Sequence, residues 1–317
     1  VGRDHHSNHH ADEDHHHPSH HGGSSAGAFR WSILLNSGLT ALQLVVGFGF
    51  GSLALIGDAL HNLGDVVGLG LSWGAERLSQ RPASGRFTYG YGRTTHMAAL
   101  VNGLLIFSAG VVVVVEAIQR LFDPVPLIAA PVAWAAAAGI VVNLLSARLF
   151  GHHHHHDLNQ RAAVLHLLTD AAVSVAVLVS ALLVASTGWL WLDALTAMGV
   201  GAAVIWSAWG LLVEAIAVNL DAAPRHIELE RVRQVLLDLP GVVAVEQLHV
   251  WGVSSSRTAL TAHIQYRIQP GLDADQVLAQ ARHRLAELGI RKSTLQLEAA
   301  ESHRPTQPPH HGALEPS

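Results

Sequence analysis

The sequence predicts an all-α six-helix transmembrane domain followed by a small α+β domain. Three observations carry this. Of 317 residues, 50% are hydrophobic and only 14% charged, where soluble chains average about 25% charged. The apolar residues fall in six blocks, each long enough to cross a bilayer, which takes about 20 apolar residues per helix. From about residue 220 the pattern changes to mixed polarity with short helical and strand periods. This composition excludes an ordinary cytosolic enzyme and disorder along the whole length. Cysteine is absent, so there is no disulfide framework, thiolate metal site or cysteine nucleophile. The formal charge is −5, and no basic excess points to nucleic acid.

The blocks run over 31–50, 53–78, 95–121, 127–150, 162–186 and 189–217. A polar tail precedes the first, which is therefore not expected to be a cleavable signal peptide. The domain plan is a His-rich disordered tail over 1–28, a helical domain over 29–219 and a soluble domain over 220–301. A His-rich loop lies at 151–157, and a disordered tail occupies 302–317. Arg81, Arg86, Arg93, Arg148 and Arg161 fall in the links between blocks two and three and between four and five. Arg30 precedes the first block and Arg225 follows the sixth, while the alternate links are almost free of basic residues. The positive-inside rule then puts both termini in the cytoplasm. Gly47, Gly49, Gly51, Gly64, Gly68 and Gly70 stud the first two blocks. Close helix approach and the ordinary glycine content of membrane helices both account for them.

Polar residues inside the blocks carry the chemistry. The second block holds His61 and Asp65, the fifth His166 and Asp170. Each pair is spaced i,i+4, so both side chains leave one face of a helix, about 6 Å apart along the axis. Two such helices side by side supply two imidazoles and two carboxylates, a donor set suited to tetrahedral Zn²⁺. An ionisable group at mid-bilayer costs at least about 2.5 kcal/mol, and a bound dication or protons would offset that. Asp58, three residues before His61, either draws cations towards the site or caps a helix turn; the sequence admits both. Asn36, Asn102 and Asn143 are expected to join helices by hydrogen bonds. Glu214 and Glu116 lie close enough to block ends to reach an interface.

Nine histidines precede residue 22, interleaved with Asp4, Asp12, Glu13 and Asp14, and His152 to His156 form a second run. Such tracts bind metal loosely and exchange it fast. Capture near the pore mouth, sensing, or a dispensable low-complexity tract are all open readings. In the soluble domain, 226–239 and 273–288 read as helices, and 242–251, 257–268 and 293–300 as strands. The order is αββαβ, a small sheet with helices on one face. Period-two alternation places His249, His263 and Glu298 on the polar face, where they can share one metal ion or stand as ordinary solvated residues.

The chain resembles the cation diffusion facilitator family, in particular its zinc-transporting branch. Ser52 to His61 followed by Asp65 is similar to the family's second-helix signature. Phe87-Thr88-Tyr89-Gly90-Tyr91-Gly92-Arg93 is similar to its following loop, His166 and Asp170 to its fifth helix, and Leu248-His249-Val250-Trp251 to its carboxy-terminal domain. The resemblance implies a homodimer of six-helix subunits, each with a ferredoxin-like cytoplasmic domain. It further implies efflux of a divalent metal in exchange for protons from a bacterial inner membrane. His61, Asp65, His166 and Asp170 would form the transport site. His at the first of these positions goes with zinc in that family; cadmium, cobalt and nickel stay open as further substrates. The cytoplasmic-domain zinc site of the family would map to His249, His263 and Glu298, with Gln296 replacing one further ligand. Residues 79–93 contain no Asp, Glu or His, so the loop metal site of some members is expected to be missing. His96 is expected to be an interface residue.

The reading is therefore a secondary transporter working by alternating access. A membrane-bound metal sensor or buffer is the alternative from another class. An intramembrane metalloprotease is a third, but it commonly uses His-Glu-x-x-His, and no such run occurs.

Overall fold

A computed structural model describes residues 23–151, 158–267 and 273–300. The His-rich stretches 5–21 and 152–156, and the tail from 301, lie outside them. Six long helices come first: α1 (Gly23–Phe50), α2 (Leu53–Ser79), α3 (Thr94–Phe122), α4 (Ala129–Gly151), α5 (Leu158–Thr187) and α6 (Trp191–Asn219). By length and composition α3 to α6 each contain a stretch apolar enough to cross a membrane, and Leu34–Phe50 of α1 is a shorter apolar stretch. The second helix carries Asp58, His61, Asp65, Glu76 and Arg77, which make it the least uniformly apolar of the six.

In the bundle α3 lies along α6 and α4 along α5, while α1 touches both α2 and α4. Small residues make this possible. A Cβ at Gly110 would sit 2.8 Å from Ile205 Cγ1 and 3.1 Å from the Gly201 carbonyl oxygen, so α3 and α6 meet backbone to backbone. In the first two blocks Gly47, Gly57, Gly64 and Gly68 lie against neighbouring side chains, whereas Gly49 and Gly70 face open space; both explanations of those glycines apply. The asparagines differ from expectation. No interhelical side-chain hydrogen bond reaches Asn36, Asn102 or Asn143 among the described residues, and both side-chain polar atoms of buried Asn143 lack a partner. The Asn102 amide packs against Gly68 instead.

The turn into α2 is built locally. Gly51 takes φ +81°, a conformation open to glycine, and its carbonyl accepts from Arg120 Nη1 at 2.8 Å. Ser52 then caps α2, its hydroxyl accepting from the Leu55 N–H at 3.2 Å. Asp193 of α6 completes the cap, accepting from the Ser52 hydroxyl at 2.6 Å and the Leu53 N–H at 2.7 Å. A carboxylate at a helix N-terminus satisfies otherwise orphaned donors and complements the helix dipole.

The soluble region follows as α7 (Leu229–Leu237), β1 (Val242–Ser254), β2 (Arg257–Tyr266), α8 (Ala274–Glu287) and β3 (Lys292–Ala299). The sheet order is β1-β2-β3; β1 and β2 pair antiparallel, β2 and β3 parallel across the α8 crossover. Val232 and Leu236 of α7 and Ala281 and Leu285 of α8 bury one face against Val245, Val250, Leu260 and Ile264. Each fully buried leucine or isoleucine here contributes about 1.5–3 kcal/mol. The opposite face carries the polar phase.

Contacts near the start of α3 tie the soluble region to the helices: Arg93 pairs with Asp221, and the Ser255 N–H donates to Thr95 Oγ1 at 3.2 Å. Within the bundle, Asn219 Nδ2 of α6 donates to the His96 carbonyl of α3 at 3.3 Å. The His96 ring packs on Gly252.

Candidate metal centre

The i,i+4 spacing does on α2 and α5 what it dictates. His61 and Asp65 share a face of α2, His166 and Asp170 a face of α5, and the two faces meet. His166 Nε2 lies 3.0 Å from Asp65 Oδ2 and 3.6 Å from Asp170 Oδ2. His61 Nε2 lies 3.6 Å from Asp170 Oδ1 and 3.9 Å from Asp65 Oδ2. The two imidazole rings are edge to face, with centroids 5.8 Å apart. Zinc–ligand bonds of about 2.0–2.1 Å in a tetrahedron put ligand atoms about 3.3 Å from one another. The four imidazole–carboxylate separations straddle that edge length. Among the described residues His61, His166 and Asp170 form the one group of three or more ligand-type side chains whose donor atoms lie within 4.8 Å of one another. Asp65 joins them through its contacts to both rings.

Electrostatics favours a cation here. The Asp170 side chain is 1% exposed, and neither of its oxygens has a hydrogen-bond partner among the described residues. A buried carboxylate left this way is costly unless a cation or a proton answers it. His61 Nδ1 is likewise buried without a partner. Accessibility is graded across the site: Asp65 is 27% and His166 45% exposed. Both lie on the side nearer the ends of α2 and α5 that lead to the 79–93 and 151–157 links.

On the other side of the site the packing closes. Asp58 is fully buried and its Oδ2 accepts from Gln43 Nε2 of α1 at 2.7 Å and Ser174 Oγ of α5 at 3.1 Å. Asn62 Nδ2 reaches Gln43 Oε1 at 3.4 Å. The network joins α1, α2 and α5 one helical turn from the histidines. Sequence reasoning did not single out Gln43, Ser174 or Asp193. A buried Gln in an apolar block and a Ser four residues after Asp170 were the available signals for the first two.

In the soluble region the three polar-face residues are not gathered equally. His263 Nδ1 lies 2.7 Å from Glu298 Oε1, and Gln296 Nε2 donates to the same oxygen at 2.9 Å. His249 stands apart: it is opposite Thr261, and the register slips between Glu246 and His249 where Gln247 takes φ +45°. The bulge keeps His249 on the polar face but moves it along the sheet. It lines a cavity of about 820 Å³ with Arg86, Phe87 and Tyr89 of the loop after α2.

Residues 30–218 match the cation efflux transmembrane domain, and residues 224–300 match the cytoplasmic domain of cation efflux proteins. The chain is 35% identical to the zinc transporter ZitB of Escherichia coli (strain K12), over 86% of this chain and 87% of that one. It is 32% identical to the metal cation efflux system protein CzcD of Cupriavidus metallidurans, over 85% of each. Similarity to the cadmium, cobalt and zinc/H(+)-K(+) antiporter of Bacillus subtilis (strain 168) is 29%, over 86% of this chain and 88% of that one. With both of its regions matched, the chain belongs to the cation efflux family and is a transporter of cations, not an enzyme.

Proposed function

We propose that the protein is a secondary active transporter that exports divalent metal, zinc foremost, from the cytoplasm in exchange for protons. The observation that carries this is the set of two imidazoles and two carboxylates from α2 and α5, spaced 3.0–3.9 Å apart. We assign His61, Asp65, His166 and Asp170 as the transport site. Zinc as substrate and protons as counter-ion also agree with the names of the similar proteins ZitB and the H(+)-K(+) antiporter.

All six helices cross the membrane in this reading, with both termini and the soluble domain in the cytoplasm of a bacterial inner membrane. Asp58, His61 and Asp65 of α2 then face the bundle interior, where intramembrane charges are tolerated, and Glu76 and Arg77 lie exposed near the end of the helix. The helical domain covers 29–219 with its His-rich loop at 151–157. The soluble domain, with two helices on one face of its αββαβ sheet, covers 220–301 as a ferredoxin-like unit. A homodimer is assigned through this domain, residues 224–300, which match the cytoplasmic domain of cation efflux proteins. His249, His263 and Glu298 are assigned a regulatory zinc ion, and the tail at 1–28 and the loop at 151–157 a loose metal-capturing role; 302–317 is assigned as a tail with no such role.

Metal enters from the side where Asp65 and His166 are accessible and meets Asp170 at the buried end. Helix movement then closes that side and opens the other. Imidazole ordinarily titrates near 6.5, and a protonated imidazole cannot ligate. Protons arriving from outside therefore displace the metal, while the two carboxylates supply the charge that holds it. Zinc flux into proteoliposomes under a pH gradient tests this. Wild type accumulates zinc, and Asp65→Ala loses flux almost completely while keeping its melting temperature. Unchanged flux in Asp65→Ala would remove the assigned site; binding without flux in wild type would point to a sensor.

A further inference from the structure

A second cavity, of about 960 Å³, opens where the helices meet the soluble region. Its membrane-side wall comes from Ala99 of α3 and Leu211, Ala215 and Val218 of α6, helices apolar enough to span. Its other wall is basic: Arg225, Arg257, Arg291 and Lys292 line it, against the single carboxylate of Glu214. That carboxylate is paired with Arg225, and the other three cations form no ion pair among the described residues. Arg257 Nε donates only to the Ser254 hydroxyl, at 3.3 Å. Lys292 Nζ sits 4.2 Å over the Tyr89 ring. Arg291 pairs with no carboxylate among the described residues. This excess stands out in a chain whose formal charge is −5. The two walls match the two halves of one ligand, an anionic head and an apolar tail, at the height where α3 and α6 end.

We propose that this cavity binds the headgroup of an anionic phospholipid of the cytoplasmic leaflet, joining the soluble domain to the membrane surface. The proposal rests on the reading of α3 and α6 as membrane-spanning, but not on transport. Basic pockets at the ends of membrane helices hold acidic headgroups, and each lysine or arginine near the surface strengthens that attraction about fivefold. Phosphate oxygens suit Arg257 and Arg291, whose planar guanidinium groups bind them bidentately. A free phosphate would leave the apolar wall unused, which favours the lipid.

The test is native mass spectrometry of the full-length protein in detergent, titrated with phosphatidylglycerol or with phosphatidylcholine of the same acyl chains. Wild type should retain phosphatidylglycerol in preference. Replacing both Arg291→Gln and Lys292→Gln should weaken its binding roughly 25-fold, two cations at about fivefold each, with phosphatidylcholine binding unchanged. Should that pair of changes disturb folding, as a melting curve would show, Arg257→Gln alone serves, with about fivefold expected. Equal retention of the two lipids, or full binding by folded variants, would overturn the proposal. Displacement of phosphatidylglycerol by millimolar inorganic phosphate would overturn it too, because the cavity would then be a free-anion site. None of these readouts requires flux, so loss of transport with lipid binding intact would count against the export reading alone.

Discussion

Two buried carboxylates of the helical domain, Asp193 and Asp170, are treated in opposite ways by their surroundings. Asp193, 6% exposed, accepts from the Ser52 hydroxyl and from the Leu53 and Ala54 N–H groups at the start of α2. Asp170, 1% exposed, accepts from nothing and faces two imidazole nitrogens at 3.6 Å. Asp58 lies between them, with one oxygen satisfied by Gln43 and Ser174 and the other bare. Burial is common to all three. What separates them is hydrogen-bond satisfaction: the satisfied carboxylate holds helices together, and the unsatisfied one is the member that a cation would complement, as proposed above. A buried ionised group answered by neither arrangement would cost several kcal/mol.

The sharpest way to break this contrast is Asp170→Asn. A neutral amide removes the charge that has no partner, so the protein without metal should melt at the same temperature or higher. Zinc stabilisation should then fall to the small amount that the weaker soluble-domain site gives, whereas a site at a hundredfold excess over its dissociation constant gains about 2.7 kcal/mol. Flux should fall to the vesicle background. Thermal melting with and without zinc reads both effects in one preparation. A variant that keeps the full wild-type rise in melting temperature with zinc would show that Asp170 is not the charge the metal needs.

The complementary change is Asp193→Ala, where the expected loss is of stability and not of binding. The Leu53 N–H and the Ser52 hydroxyl would be left buried without an acceptor, at a cost of about 1–3 kcal/mol, and α2 would lose half of its cap. A denaturant or thermal melt should register that cost. The zinc-dependent rise in melting temperature should remain, because His61 and Asp65 lie two and three turns further along α2. If Asp193→Ala abolished the zinc response while retaining stability, the division between structural and metal-facing carboxylates would fail.

The shared faces of the two imidazole–carboxylate pairs were legible in the sequence, and the capping role of Asp193 was not. His61, Asp65, His166 and Asp170 are readable because each pair lies within one helix, where spacing alone decides the shared face. The strand phases that set His263 beside Glu298 are readable for the same reason, since period two follows from one strand at a time. Asp193 capping α2 across 140 residues of chain depends on how α6 meets α2, and no local pattern encodes that. Gln43 and Ser174 are similar cases, polar residues whose meaning comes from a partner on another helix. The first helix starts at Gly23, ahead of the apolar block, because hydropathy marks the lipid-soluble stretch and not the end of the helix. At the other extreme of scale, α7 is shorter than its periodicity suggested: Glu228 at its N-terminal boundary is extended, and Ile227 is held by a turn to the Pro224 carbonyl. The bulge at Gln247 belongs to the same class as the Asp193 cap: it inverts the alternation of β1, so that Val245 and Val250, five residues apart, both reach the core, and its position depends on the pairing with β2.

That bulge sets the smallest effect, and the one that extends the comparison to the soluble domain. His263 and Glu298 touch each other, so the Glu298 carboxylate already has donors from His263 and Gln296. By the rule drawn from the helices it should bind metal more weakly than Asp170, which has none. Titrating zinc into full-length Asp170→Asn by calorimetry isolates the soluble site from the membrane site. A weaker binding event should survive there, and adding His263→Ala should reduce its affinity at least about tenfold, since even the loss of an outer-shell partner costs that much. In the otherwise unaltered chain, His263→Ala should leave the maximal flux near wild type and shift only the zinc concentration that half-saturates it. Abolished flux would place His263 on the transport route itself, and an unaltered calorimetric trace would leave the polar face of the sheet as a solvated surface.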